Sequence, residues 1–185
     1  MGPVTTVDTS TLTRALYTSD SSLYRVEPAG VAIPRTVDEL VATVRHALDE
    51  HTPVTMRGAG TSCAGNAVGS GLVVDVSRHL NRIHAIDPER RTAVVDPGVV
   101  QETLQRAARP HGLRLGPDPS TSSRCTIGGM IGNNACGPRA LGYGRMADNV
   151  VELEILDGTG TVRTLGRDEL PELQSLVAAN LGTIR

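Results

Sequence analysis

Residues 116–144 read Gly116-Pro-Asp-Pro-Ser-Thr-Ser-Ser-Arg-Cys-Thr-Ile-Gly-Gly-Met-Ile-Gly-Asn-Asn-Ala-Cys-Gly-Pro-Arg-Ala-Leu-Gly-Tyr-Gly144. No apolar period of helix or strand type organises this run. A stretch of that length without regular structure is uncommon inside a compact domain, and is usually functional or disordered. Disorder fits poorly, because Ile127, Met130 and Ile131 are apolar and charges are sparse. Small side chains, hydroxyls and amides suit a backbone lying close against a flat ligand with polar edges.

A second glycine-rich stretch lies upstream, Pro53-Val-Thr-Met-Arg-Gly-Ala-Gly-Thr-Ser-Cys-Ala-Gly65, at the end of a strand-like run. A Rossmann turn needs G-x-G-x-x-G opening a helix. Here Gly58 and Gly60 are followed by glycine only at 65, and Gly69 and Gly71 would break a helix begun there. A P-loop needs Gly-Lys-Ser/Thr, which the chain lacks. What remains is a series of unhindered backbone N–H groups beside the Thr61 and Ser62 hydroxyls, a nest able to wrap a pyrophosphate. Arg57 adds charge there or braces the loop. Alone, this stretch reads more simply as a structural turn; the 116–144 run reverses that preference.

Around these loops the chain predicts an α+β fold. Residues 1–24 form an N-terminal arm, loose and carrying one short helix. Val31–Ile33 is a strand, and Thr36 with Glu39 makes a capping box for a helix whose inner face is Val37, Leu40, Val41, Val44 and Leu48. Val54–Met56 completes a β-α-β unit with a parallel strand pair. Leu72–Val76 is a buried strand, and Ile83–Ile86 with Thr92–Val95 form a hairpin about Asp87-Pro-Glu-Arg90. Asp96 is expected to cap a helix with Pro97 at its first position, burying Val100, Leu104 and Ala107. A second hairpin spans Val150–Leu156 and Thr161–Leu165, and a last helix runs from Asp168 to Ala179.

The chain has 185 residues, 39% of them hydrophobic, with no Phe or Trp and three Tyr. Val, Leu, Ile and Ala must therefore fill the core. A net charge of −2 gives no electrostatic footprint for nucleic acid. Cys63, Cys125 and Cys136 form no CxxC pair and suit a reducing cytoplasm better than a disulfide framework; small residues near a ligand account for them more simply than an iron–sulfur site. The five His, at 46, 51, 79, 84 and 111, have no metal-ligand spacing, and no metal is expected. The first twenty residues contain no apolar run suited to a signal peptide, and no uninterrupted apolar stretch is able to span a bilayer; peripheral attachment at the inner membrane face through other parts of a larger protein stays open.

The two glycine loops taken together carry a resemblance. Arg57-Gly-Ala-Gly-Thr-Ser62, followed by Pro117-Asp-Pro-Ser120, Thr126-Ile-Gly-Gly-Met130, Asn133-Asn134, Tyr143-Gly144 and Asp148-Asn-Val150, resembles the FAD-binding, PCMH-type domain of the vanillyl-alcohol oxidase / p-cresol methylhydroxylase superfamily. Within it the likeness is to D-lactate, glycolate and D-2-hydroxyglutarate dehydrogenases. Asn133-Asn-Ala-Cys-Gly137 further resembles members fused to an iron–sulfur module. The likeness covers about residues 25–165. It implies two α/β subdomains, about 25–100 and 101–185, with FAD between them.

By that resemblance, Arg57, Gly58, Ala59, Gly60, Thr61, Ser62, Gly65 and Asn66 would hold the pyrophosphate. Pro117, Asp118, Ser122 and Ser123 would meet the pyrophosphate or the flavin side, and Thr126, Gly128 and Gly129 would pack on the dinucleotide. Asn133, Asn134, Ala135 and Gly137 would approach the flavin ring or ribityl chain, and Val150 or Val151 the adenine. Some relatives attach FAD through a His in the first loop; Gly60-Thr-Ser62 implies non-covalent binding. Asp118 reads equally as a base and as a turn cap.

The implied activity is oxidation of a D-2-hydroxy acid by hydride transfer to flavin N5. Two alternatives stay open, an FAD-dependent sugar or alditol oxidase of the same superfamily and a non-catalytic nucleotide-binding module. No catalytic residues are evident. A carboxylate anchor and a base are expected from a following substrate domain or second chain, and an electron acceptor from a partner such as an iron–sulfur module. The chain ends at Ile184-Arg185 and is expected to be part of a larger protein.

Overall fold

A computed structural model describes Pro3 and residues 5–166. The helix expected over 168–179 lies outside the described residues. The chain divides into two compact units, one up to Asn149 and one from Val150 onward.

The first unit is built on a four-stranded sheet of β1 (Val7–Asp8), β2 (Gly30–Ala32), β3 (Val54–Arg57) and β4 (Leu72–Asp75), in the order β1-β2-β4-β3. β4 runs parallel to both β2 and β3, pairing Val31 with Val73 on one side and Thr55 with Val73 on the other. The expected pairing of the first two long strands is therefore corrected: they are parallel but separated by β4. The reason lies in composition. Leu72-Val-Val-Asp75 is buried at every position and apolar at its first three, and a strand buried on both faces takes the central place in a parallel sheet.

Alternate residues of these strands supply two cores. Ala32, Leu72 and Val74 pack with Ala47, with Leu40 and Val54 at the margin. On the other set, Val31 and Val73 pack with Tyr17 and Ile33.

Helix α2 (Val37–Asp49) starts where the Thr36 hydroxyl accepts the Glu39 N–H at 3.1 Å. The Glu39 carboxylate reaches back to the Arg35 N–H at 2.7 Å, one residue before the expected partner. Its fully buried residues are Ala42, Thr43 and Ala47, whereas Val37 is 45% exposed and Leu40, Val41, Val44 and Leu48 are half-buried. Of the small, fully buried residues, Ala47 packs on Ala32, Leu72 and Val74 of the sheet.

The N-terminal residues are not loose. β1 adds antiparallel to β2, the Thr5 N–H bonds the buried Thr43 hydroxyl at 2.9 Å, and α1 (Thr11–Leu16) is capped by Ser10. Tyr17, 7% exposed, donates its hydroxyl to the buried Asp75 carboxylate at 2.5 Å. Burial, and then the adjacent Asp75, push the Tyr17 phenol up to about 12 from its ordinary 10.0. A raised folded-state value favours the neutral phenol, so its stabilisation is complete below pH 10 and disappears as pH rises through about 12. Allowing for screening, the contribution is on the order of 2 kcal/mol. Alkaline absorbance titration should show one late phenolate that Tyr17→Phe abolishes; a Tyr17→Phe protein with an unchanged titration curve and unchanged alkaline stability would contradict this.

β5 (Ile83–Asp87) and β6 (Thr92–Val95) form the first hairpin, with Asp87 accepting the Glu89 and Arg90 N–H groups in its turn. Helix α3 (Gln101–Ala108) begins later than expected, with Val100 and not Asp96 at its cap. Asp96 is already committed, since its carboxylate accepts the Arg82 N–H at 2.8 Å and faces His84 Nε2 at 2.7 Å. The helix buries Gln101, Leu104 and Ala108, while Val100 and Ala107 are half-buried.

The second unit carries the antiparallel pair β7 (Glu152–Leu156) and β8 (Val162–Gly166), in register from Glu152–Gly166 to Leu156–Val162. Asp157 organises the turn by accepting the N–H groups of Thr159 and Thr161. No helix among the described residues is long and apolar enough to cross a membrane.

Candidate functional site

The first glycine loop leaves the end of β3, the second follows α3, and the two face each other across one cleft of about 280 Å3. Ten residues singled out from the sequence line it. Gly58, Ala59, Gly60, Thr61, Ser62 and Asn66 come from the first loop, and Thr126, Gly129, Asn133 and Ala135 from the second. The loops also touch, the Asn66 side-chain amide donating to the Asn133 side-chain carbonyl at 2.6 Å.

The 116–144 run is more ordered than its composition suggests. It contains two short helices, α4 (Ile127–Gly132) and α5 (Ala140–Tyr143). Their stretches are too short and glycine-rich to show a period. α4 is set by long-range pairing: Thr126 bridges Val100, the Ile127 N–H bonds the Val99 carbonyl, and the Gly128 N–H bonds the Pro97 carbonyl, both at 2.8 Å. A Cβ on Gly128 would meet Pro97 Cβ at 2.6 Å, so glycine is required there by packing. Buried Gln101 ties the far side, its amide donating to the Pro117 carbonyl at 3.1 Å.

Other predicted residues do not line the cleft. The Arg57 guanidinium bonds the Ser19 and Ala67 carbonyls. Gly65 has φ +78° and lies against the Tyr24 ring. Asp118 and Ser122 border a separate depression; Asp118 pairs with Arg139 at 3.1 Å and Arg114 at 3.6 Å, and its Oδ1 is buried without a hydrogen bond. Gly137 packs on the Asp118 backbone, Asn134 has φ +45° and accepts the Ala147 N–H, Ser123 is exposed, and Pro117 is buried behind the loop. Val150, buried, and Val151, exposed, belong to the second unit.

Cys63 and Cys125, read from the sequence as small residues near a ligand, line the cleft, whereas Met56, Ala67, Pro119, Thr121 and Met130 escaped the sequence reading. The hydroxyl-rich run Ser120–Ser123 was a usable signal for Thr121. Met56 and Met130 carried none, being single apolar residues placed by the tertiary fold. All three cysteines are free, and burial pushes the Cys125 thiol up.

No Asp, Glu, Lys, Arg or His among the described residues lines the cleft. Among the described residues, the backbone N–H groups of Ala59, Gly60, Thr61, Ser62 and Cys63 donate to no protein acceptor. Unspent donors along a loop with Gly60 at φ +67° form a neutral nest able to hold an anion. A Cβ on Gly58 would overlap the Thr126 hydroxyl, so the loops approach this closely only because glycine stands there. These features fit the diphosphate portion of a dinucleotide, and the cleft lies near the lower end of small-molecule sites in volume.

Comparison with known proteins gives the same answer. Residues 28–166 match the FAD binding domain family. The D-2-hydroxyglutarate dehydrogenase of Escherichia coli (strain K12) is 38% identical over 146 residues, covering 77% of this chain and 14% of that protein. Glycolate oxidase subunit GlcD of Bacillus subtilis (strain 168) is 37% identical, covering 86% and 35%. The D-lactate dehydrogenase of Archaeoglobus fulgidus is 35% identical, covering 74% and 30%. A solved alkyldihydroxyacetonephosphate synthase has the same fold over 86% of this chain and 32% of its own, with a TM-score of 0.75 at 22% identity. The chain thus spans about a seventh of the first dehydrogenase and about a third of the others. With both loops on one neutral, donor-rich cleft and three-quarters of its length matched, the chain belongs to the FAD binding domain family, and FAD is its cofactor.

Proposed function

We propose that this chain is the non-covalent FAD-holding part of a flavin-dependent dehydrogenase that oxidises a D-2-hydroxy acid of the D-lactate, glycolate or D-2-hydroxyglutarate type. The observation that carries it is the shared cleft, lined by both loops, in the first of which the N–H groups of residues 59–63 are unspent. When bound, the flavin supplies a hydride acceptor for a carbon bearing a hydroxyl.

The residues here bind and orient. Backbone donors of residues 59–63 take the diphosphate, Thr61, Ser62 and Thr121 offer hydroxyls beside it, and Thr126, Gly129 and Met130 form a wall that excludes water. A hydroxy acid also needs a cation for its carboxylate and a base for its hydroxyl proton. The cleft lining contains neither, so both are assigned to residues outside it, in a substrate domain or a second chain. An electron acceptor, an iron–sulfur module among the options, completes the cycle in a reducing, cytoplasmic setting.

Titrating the flavin-free protein with FAD, followed by quenching of flavin fluorescence, tests the reading. A site of backbone donors around a dianion is expected to change its Kd by less than about threefold between low and high salt. A steep salt dependence would point to ion pairs in place of the nest, and a flat titration would remove FAD from this cleft. In the longer protein, flavin bleaching on adding D-lactate, glycolate or D-2-hydroxyglutarate separates a hydroxy-acid dehydrogenase from a sugar oxidase.

A further inference from the structure

Residues Tyr17–Val26 form a small closed turn, with Ser19 bridging Arg25 and the Val26 N–H bonding the Thr18 carbonyl at 2.8 Å. This turn is attached to the first glycine loop at several points. The Ser21 N–H and hydroxyl both donate to the Gly60 carbonyl, at 3.0 and 3.3 Å. The Asp20 carboxylate accepts the Ala67 N–H at 3.3 Å as well as the Ser22 N–H at 2.8 Å. Arg57 Nη1 donates to the Ser19 carbonyl at 2.8 Å and the Ala67 carbonyl at 3.1 Å, and its guanidinium lies 5.1 Å from the Tyr17 ring centroid. Tyr17 in turn is anchored on Asp75 at the end of β4. The bonds hold the loop at its start, its middle and its end, and they use its carbonyls along with the Ala67 N–H, leaving the N–H groups of residues 59–63 unspent. Of the residues making these attachments, only Gly60 and Ala67 line the cleft.

We infer that the Tyr17–Val26 turn is a built-in brace that shapes the diphosphate loop before the cofactor arrives, with Arg57 and Asp20 as positioning residues that act through the loop. The inference rests on the reading of this cleft as the FAD site. A loop that is already ordered loses less conformational entropy on binding, and that saving appears as affinity. Arg57 is fixed against the brace, because its Nη1 serves two carbonyls and its guanidinium face lies over Tyr17. Asp20 supplies the sharper argument, because bracing and plain electrostatics predict opposite signs for its removal. Burial works against its charge, yet hydrogen bonds from Ser22 and Ala67 hold its carboxyl below the ordinary value. A permanent negative charge near an anion site weakens anion binding by Coulomb repulsion. Neutralising it should therefore tighten FAD if the residue acts by charge, and loosen FAD if it acts by holding the loop.

The experiment compares wild type, Asp20→Asn and Arg57→Lys in the full chain. FAD Kd is measured at two salt concentrations, and amide hydrogen exchange over residues 59–67 is measured without FAD. Asparagine has one side-chain oxygen to serve two N–H groups, so Asp20→Asn is expected to raise Kd about tenfold and to speed loop exchange. Arg57→Lys keeps the charge and loses the planar face over Tyr17, and a similar rise with an unchanged salt slope is expected. Tighter or equal FAD binding in Asp20→Asn, or full retention of affinity in Arg57→Lys, overturns the brace. If wild type binds no FAD, the reading of the cleft fails by itself. Loop exchange then decides the brace independently, upheld by faster exchange in Asp20→Asn and refuted by equal exchange.

Discussion

Gly58→Ala is expected to weaken FAD binding by about 10- to 100-fold while the protein still folds, the strain of overpacking being about 1–3 kcal/mol. A Cβ at position 58 overlaps the Thr126 hydroxyl. Thr126 is 3% exposed, and its backbone is held by the bridge to Val100 and by the Met130 N–H, so it cannot step aside as a unit. Its β-branched side chain has few alternative rotamers. The strain is relieved most directly by parting the two loops, and closing the cleft around the cofactor must then restore it. Thr126→Ala in the Gly58→Ala background is expected to recover most of the loss. Thr126 makes no side-chain cap bond to α4, and its Cβ alone lies at an ordinary 3.4 Å from the new methyl. Fluorescence titration of the four proteins forms a double-mutant cycle. Additive losses would mean that the two loops do not meet at this point.

Gly98→Ala is expected to cost about 3 kcal/mol of folding stability, the upper part of the range for overpacking. A methyl there meets the carbonyl oxygens of Val76 and Leu80 and the Ser77 Cα, all of them backbone atoms that no rotamer change can move. The Gly98 N–H also donates to the Leu80 carbonyl at 2.7 Å, so the strands' connecting segment cannot retreat without losing that bond. Gly142→Ala is the matched control. It lies in α5, nothing stands within 4 Å of its added Cβ, and its φ is not positive. Alanine there should be neutral or stabilising by up to about 1 kcal/mol, through reduced freedom of the unfolded chain. Urea unfolding of both variants checks the contrast; equal midpoints would show that the packing at Gly98 yields easily.

Local signals carried well from sequence to structure. Thr36 and Asp87 are side chains that satisfy backbone N–H groups a few residues away, and both stand where their spacing placed them. Asp96 had the same local credentials and failed, because Arg82 and His84, distant in sequence, claimed its carboxylate. Where a polar side chain has two suitors, the nearer one is visible in sequence and the stronger one is not. The inner face of α2 shows a related limit. Periodicity pointed to its valines and leucines, but the residues it buries fully are Ala42, Thr43 and Ala47.

For the site, the residues by themselves determined that two glycine loops exist and that neither is a Rossmann turn nor a P-loop, and the resemblance of their joint motif to a known family implied FAD. Backbone freedom and the absence of bulky side chains are properties of the residues, readable without coordinates. Only the tertiary structure decided that no Asp, Glu, Lys, Arg or His among the described residues lines the cleft, that Arg57 Nη1 is held by two carbonyls, that Asp118 faces a different depression, and that the N-terminal turn grips the loop. Those outcomes depend on which distant groups a charge or a donor meets, and partners that far apart along the chain are chosen only when it folds.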